Sequence, residues 1–233
     1  MYGVWFDALL RDLPARARVL EVGAGPGFFA EHAVRVRPDL RWISSDLLPT
    51  PWNGLVADAL ALPLRSGSID AVVGVDFIHH LARPAAFFSE AARVLAAGGR
   101  LLAVEPWVTA LSYPVYRFFH QERCRLRLDP WEPFADGRAK DAFDGDAGLV
   151  PALVRQTSAD RWRELGLTPP AVTTLNGFAY LLSLGFKDAC LLPAWGAGPA
   201  LALDEATSRL SAWTGLRAQL TWSRRTDGET TTR

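Results

Sequence analysis

The chain has 233 residues, 49% hydrophobic and 21% charged, so it carries enough apolar material for a sizeable core. Its 25 basic residues balance 25 acidic ones, which excludes the basic excess of a general nucleic-acid binder. The two cysteines, Cys124 and Cys190, match no metal spacing and fit a reduced, cytoplasmic setting. The first residues carry Asp7 and Asp12 inside their apolar part and no basic segment, unlike a signal peptide. No run reaches the ~20 apolar residues of a membrane span.

Residues 3–12 have helical spacing at Val4, Trp5, Ala8 and Leu9. The run VLEVGAGPG at residues 19–27 then reads as a short strand and a glycine turn, with a helix following to about residue 37. Strand, glycine turn and helix open a nucleotide-binding unit, in which the backbone must turn sharply and approach a ligand. Glu21 lies inside that strand; a buried carboxylate needs a polar partner, so it is expected to face the ligand end. Further strands are predicted at residues 40–45, 54–57, 69–75 and 100–104. Pro84 opens a helix through residue 95, with Gly98 and Gly99 as its stop. Asp46, Asp58, Asp76 and Glu105 stand at strand ends. The prediction is an α/β fold, a doubly wound, mostly parallel sheet with helices on both faces and its ligand at the carboxyl ends.

After Pro106 the pattern changes. Residues 107–170 are rich in aromatics, arginines and prolines, too long for a simple connection. They are expected to form a lid over the ligand end, with a helix at 113–123 and an acidic loop at 136–148. Arg123, Arg125 and Arg127 alternate and on a strand would share one face. Helices are predicted at 175–184 and 201–210, a sixth strand at 186–192 and a last, alternating one at 216–223. Residues 226–233 read as a disordered tail.

Gly-x-Gly-x-Gly alone is weak. The dinucleotide fingerprint would want glycine where Phe28 stands, and no Gly-Lys-Ser/Thr ending of a phosphate loop is present. The match goes further, however. VLEVGAGPG, the acid at Asp46, Asp58-Ala59 before Leu62-Pro63, SIDAV at 68–72, FIHHL at 77–81 and RVLAAGGRLLAVEP at 93–106 follow in order. Together they resemble class I S-adenosylmethionine-dependent methyltransferases of the ubiquinone/menaquinone-biosynthesis type, over about residues 17–106. The last strand, with Trp222, is similar to the family's antiparallel seventh strand.

The resemblance implies a Rossmann-like seven-stranded sheet, S-adenosyl-L-methionine as cofactor, and one methyltransferase domain over residues 1–225. It implies that Gly23, Ala24, Gly25 and Gly27 approach the methionine part, with Glu21 near its ammonium. Asp46, with Leu47 beside it, would take both ribose hydroxyls; Asp58 and Ala59 would take the adenine. Asp76 is either a polar contact near the methyl or a buried acid satisfied by backbone amides. The two prolines that follow this position in amino-methylating members are missing. His79 and His120 are candidate general bases, with packing as the other role for His79. Adjacent histidines such as His79 and His80 point ~100° apart on a helix, so both are not expected to face one site. Asp76, His79 and Glu105 offer too little for a metal, and none is expected. The acceptor is expected to be a small, largely apolar or aromatic molecule, methylated on oxygen or carbon, and the chain a monomer or homodimer without stable membrane insertion. A lipid-linked or glycan acceptor fits if the arginine row lines the pocket. A non-catalytic, cofactor-binding interaction protein fits if the insertion plugs it.

Overall fold

A computed structural model describes residues 2–134, 140, 141, 143–182 and 192–225. The strands are β1 (Arg18–Val22), β2 (Arg41–Asp46), β3 (Leu55–Val56), β4 (Ile69–Val75), β5 (Leu95–Pro106), β6 (Ala171–Leu175) and β7 (Arg217–Ser223). They form one sheet in the order β3-β2-β1-β4-β5-β7-β6. Strands β1 to β5 pair in parallel, whereas β7 runs antiparallel to both β5 and β6. The helices are α1 (Tyr2–Arg11), α2 (Phe28–Val36), α3 (Pro84–Val94), α4 (Ser112–Phe118), α5 (Leu149–Gln156), α6 (Ala159–Glu164), α7 (Phe178–Leu182), α8 (Ala197–Ala206) and α9 (Ser211–Thr214).

Successive strand residues point to opposite faces, and this divides the core in two. Leu20, Val22, Val72, Leu101 and Ala103 join Phe87 and Phe88 of α3, Leu149 and Leu153 of α5, and Trp162 of α6. Val19, Ala71, Val73, Leu102 and Val104 join Trp5, Phe6 and Leu9 of α1, Phe29 of α2 and Tyr180 of α7. Central strands covered on both faces read as unbroken apolar runs, which is why β4 and the end of β5 were legible. Pro84 occupies the first turn of α3, where its missing N–H costs nothing.

Several expectations are corrected. Helix α3 ends at Val94, and Gly98 and Gly99 instead lie within β5. There the pairing jumps from Ile69↔Leu95 to Ala71↔Arg100, and Gly98 takes φ +72. The sixth strand is Ala171–Leu175; the stretch proposed for it lies outside the described residues except Leu192, which is not in a strand. Helices α5 and α6 pack into the main core, so the C-terminal part of the expected lid is a crossover to β6. The part just before α5 does reach the ligand end, where Lys140 and Phe143 line a cleft. Arg123, Arg125 and Arg127 lie on no strand. Arg123 makes an isolated bridge with Asp146, and Arg125 pairs with the Asp146 carboxylate at 2.6 Å. Residues 226–233 and Cys190 lie outside the described residues; Cys124 is buried as a free thiol. No helix among the described residues is long and apolar enough to cross a membrane.

Candidate active site at the carboxyl ends of the strands

The turn after β1 holds Gly23, Gly25 and Gly27 at φ +64, +50 and +80, a region costly for residues with a Cβ. Their surroundings differ. A Cβ on Gly23 would meet the Phe77 ring at 2.4 Å, and one on Gly27 the Trp52 ring at 2.6 Å. A Cβ on Gly25 would meet no atom within 4 Å. The first and third glycines therefore make room for the protein's own aromatics, while the middle one faces open space. The turn is braced from outside: Ala24 N–H donates to the Ser45 carbonyl at 3.0 Å, and Trp52 Nε1–H to the Gly25 carbonyl at 2.8 Å.

Asp46, at the end of β2, accepts Gly25 N–H on Oδ2 at 2.9 Å and Leu48 N–H on Oδ1 at 3.0 Å. Each carboxylate oxygen offers about two acceptor sites, so both retain capacity for a ligand. Asp58 accepts Leu60 N–H at 2.9 Å and likewise keeps an oxygen free of that turn. A cleft of about 380 Å³ opens here, lined by Gly23, Gly25, Asp46, Leu47, Asp58, Ala59 and Asp76, with Phe77, His80 and Leu81. That volume lies in the range of small-molecule sites. Glu21, Ala24 and Gly27 are not among its lining residues.

Glu21 departs from expectation. Its carboxylate is buried and accepts Trp42 Nε1–H at 3.0 Å. The required polar partner is thus an indole on the neighbouring strand. Burial pushes its carboxyl up to about 7, against the bonds from Trp42 and Ser44.

The inner end of the cleft is held by long-range pairs. Asp76 stands at φ +52, in the left-handed region that aspartate tolerates better than most residues. Its carboxylate pairs with Arg217 of β7. The Arg217 guanidinium lies 5.2 Å from the ring centroids of both Trp5 and Tyr180, a cation–π arrangement. Burial raises the Asp76 carboxyl, and the Arg217 charge opposes this. The strand-end acid satisfied by backbone amides is Glu105: it accepts N–H groups of Phe77 at 3.0 Å and Ile78 at 2.6 Å.

His79 and His80 sit in a short 3-10 helix, Ile78–His80. His79 is buried, with Nδ1 at 2.6 Å from Glu105 Oε2 and Nε2 at 3.2 Å from Glu122 Oε2. Burial alone would lower its pKa, but Glu105 and then Glu122 push it up to about 10. A histidine that holds its proton at neutral pH is a poor general base. His80 lies with Nε2 3.6 Å from Glu122 Oε1, so the two adjacent histidines do face one group. Burial, and then the charge of His79, lower the His80 pKa. His120 does not line the cleft; its Nδ1 accepts Glu122 N–H at 3.3 Å. Against burial, which raises it, His79 and the other two histidines hold Glu122 down at about 2.

Trp52, Phe77, Glu122 and Arg217 were not foreseen as parts of the site. Trp52 follows Pro51 in an irregular stretch whose only signal was an aromatic among prolines. Arg217 carried no local signal, because its partner lies 141 positions away.

Comparison with known proteins agrees with this geometry. A family model described as a methyltransferase domain matches residues 20–103. An uncharacterized methyltransferase of Mycobacterium tuberculosis is 31% identical over 201 residues, covering 72% of this chain and 81% of the relative. The ubiquinone/menaquinone biosynthesis C-methyltransferase UbiE of Dinoroseobacter shibae is 32% identical over 123 residues, 45% of this chain and 49% of that protein. The mouse tRNA (carboxymethyluridine(34)-5-O)-methyltransferase ALKBH8 is 33% identical over 115 residues, 45% of this chain. The chain spans only 17% of the mouse protein's length. A solved S-adenosylmethionine-dependent methyltransferase of Archaeoglobus fulgidus superposes with a TM-score of 0.55 at 16% identity, covering 97% of this chain and 95% of that one. A glycine turn after β1, acids at the ends of β2 and β3, a seven-stranded sheet with β7 reversed and a relative matched over most of its length coincide in one molecule, and the chain belongs to the class I S-adenosylmethionine-dependent methyltransferases.

Proposed function

We propose that the cleft over Gly23 and Gly25 binds the cofactor, and that the methyl group passes to a small, largely apolar or aromatic acceptor, on oxygen or carbon. S-adenosylmethionine supplies a sulfonium-activated methyl group for in-line displacement. Gly25 leaves the space that its methionine portion needs, Asp46 offers two oxygens to the ribose diol, and Asp58 with Ala59 borders the adenine. Asp76, fixed by Arg217, closes the end where the acceptor must enter. The chain's task is then alignment and exclusion of water, which lowers the entropic part of the barrier.

The acceptor class rests on one observation. Beside the Trp5 and Tyr180 rings that flank Arg217 lies a second cavity of about 560 Å³, lined by the apolar side chains of Val4, Trp5, Ala8, Leu175, Tyr180 and Leu201 and by the polar ones of Arg11, Thr174, Asn176, Asp204, Glu205 and Ser208. The Trp5 and Tyr180 rings suit an aromatic body, and the carboxylates of Asp204 and Glu205 disfavour a phosphate. The arginines at 123, 125 and 127 are absent from both cavities, so the lipid-linked and glycan acceptors lose their support. The described residues of the insertion line the cofactor cleft without filling it, which favours an enzyme over an inert scaffold. Balanced charge supports a small molecule rather than a tRNA.

Calorimetric titration with S-adenosylhomocysteine tests the cofactor cleft; binding of NAD in its place would overturn it. Incubating the chain with methyl-labelled cofactor and fractionated metabolites tests the acceptor. Label is expected in an apolar small molecule, and label confined to RNA or protein would refute the acceptor class.

A further inference from the structure

We propose that His79, His80 and Glu122 form a divalent-metal site, of zinc type, on the wall of the cleft. Three side chains from two distant segments converge there, the 3-10 helix after β4 and the insertion. All their ligand atoms lie within 4.8 Å of one another. Tetrahedral zinc with bonds of ~2.0–2.1 Å places neighbouring ligand atoms ~3.3 Å apart. His79 Nε2 lies 3.2 Å from Glu122 Oε2, and His80 Nε2 lies 3.6 Å from Glu122 Oε1. Glu122 Oε2 is buried without a hydrogen bond of normal geometry. Two imidazoles crowd one carboxylate at ligand spacing, His79 through a contact of 3.2 Å and His80 at 3.6 Å, an arrangement in which a shared cation can take the place of a bridging proton.

The outer shell is also in place. The other ring nitrogen of His79, Nδ1, lies 2.6 Å from Glu105 Oε2. Glu105 is itself fixed by the amides of Phe77 and Ile78. A carboxylate on the far nitrogen of a ligating histidine sets its tautomer and orientation. Two histidines and one carboxylate match the donor set of zinc sites that keep an open position. His80 lines the cleft, so the site borders it. The alternative group of Asp76, His79 and Glu105 is weaker, since Asp76 is held by Arg217 and Glu105 by backbone amides. The proposal does not depend on the identity of the acceptor or on the cofactor contacts.

The test uses the full, untagged chain stripped with a chelator and titrated with cobalt(II), whose four-coordinate complexes absorb strongly in the visible. One equivalent of cobalt is expected to give that band, and one equivalent of zinc to abolish it. Glu122→Gln and His80→Gln are expected to lose the band and to weaken zinc binding at least ~100-fold. Glu105→Gln, which keeps an acceptor for the Phe77 and Ile78 amides but removes the charge beside His79 Nδ1, is expected to weaken it ~10–100-fold. Circular dichroism and thermal denaturation establish that each variant is folded, and the metal titration needs no cofactor, which keeps this test separate from that of the cofactor cleft. Should His80→Gln unfold, Glu122→Gln, on the insertion and partly exposed, still decides. A spectrum identical to the aqueous ion would overturn the proposal, leaving a proton-bridged histidine–glutamate cluster. A band that survives in Glu122→Gln would also overturn it.

Discussion

Replacing Asp46 by alanine separates two tasks of one carboxylate. In the ligand-free chain Asp46 accepts Gly25 N–H at 2.9 Å and Leu48 N–H at 3.0 Å. Hydrogen bonds to a charged group contribute about 1.5–3 kcal/mol each when buried. Asp46 is only half-buried, so the loss of both should cost about 1–3 kcal/mol of stability. At this chain length that lowers Tm by about 2–10 °C. Loss of the proposed ribose contacts should cost a further ~1–3 kcal/mol of binding, about five- to 150-fold in the Kd for S-adenosylhomocysteine. A loosened glycine loop could mimic that second effect. Pairing the variant with a ligand change removes the ambiguity. Wild type should prefer 5′-methylthioadenosine over its 2′-deoxy analogue, and Asp46→Ala should show little preference. Equal discrimination by both proteins would refute the ribose assignment and leave Asp46 as a brace.

Gly25→Ala should cost only the ~1–2 kcal/mol of a left-handed alanine yet weaken cofactor binding more than tenfold. Gly23→Ala, which also drives a Cβ into Phe77, should be the less stable of the two by thermal denaturation, and wild-type affinity in Gly25→Ala would refute the cradle. Because burial raises the Glu21 carboxyl from 4.5 to about 7, the folded chain holds that proton more tightly than the unfolded chain. Stability should therefore fall as pH rises from about 4.5 to about 7, by about 3 kcal/mol from this group. Glu21→Gln should flatten that slope in urea denaturation series, and an unchanged slope would disprove the attribution. Arg217→Met strands Asp76 without its partner and should cost about 3–5 kcal/mol. The double variant Asp76→Asn with Arg217→Met should recover part of that loss, whereas strictly additive effects would rule out coupling.

What was legible in the sequence was local. Strand β4 is a run of β-branched residues between a serine turn and an acid, and its bounds were read without error. The glycine turn and the acids at 46 and 58 follow their strands within a few residues. The sixth strand was missed for a related reason. Ala171–Leu175 is short and lies at the sheet edge, with mostly half-exposed residues, so it lacks the apolar run that a buried strand shows. The more apolar stretch after Gly185 attracted the assignment instead. Helices α5 and α6 were hidden in a segment judged by its prolines and aromatics. Their leucines and Trp162 face the core at helical spacing, a pattern short enough to pass for loop.

Glu21 marks the limit of this kind of inference. The requirement that a buried carboxylate be satisfied was correct, but the satisfying group was an indole on the next strand, where Val19 pairs with Trp42 and Glu21 with Ser44. Periodicity places Glu21 and Val19 on one face of β1, and pairing then brings Trp42 onto that face; only the register between β1 and β2 was missing. The same holds for Asp76 with Arg217 and for His79 with Glu122. Each pair joins elements that meet only after the sheet has closed. The residues proposed to hold the cofactor mostly follow their strands within a few positions, so one chain suffices to find them. Those that fix the inner end of the cleft are set by long-range pairing. The methyl donor is therefore legible from the first half of the sequence, while the acceptor depends on how the second half folds back upon it.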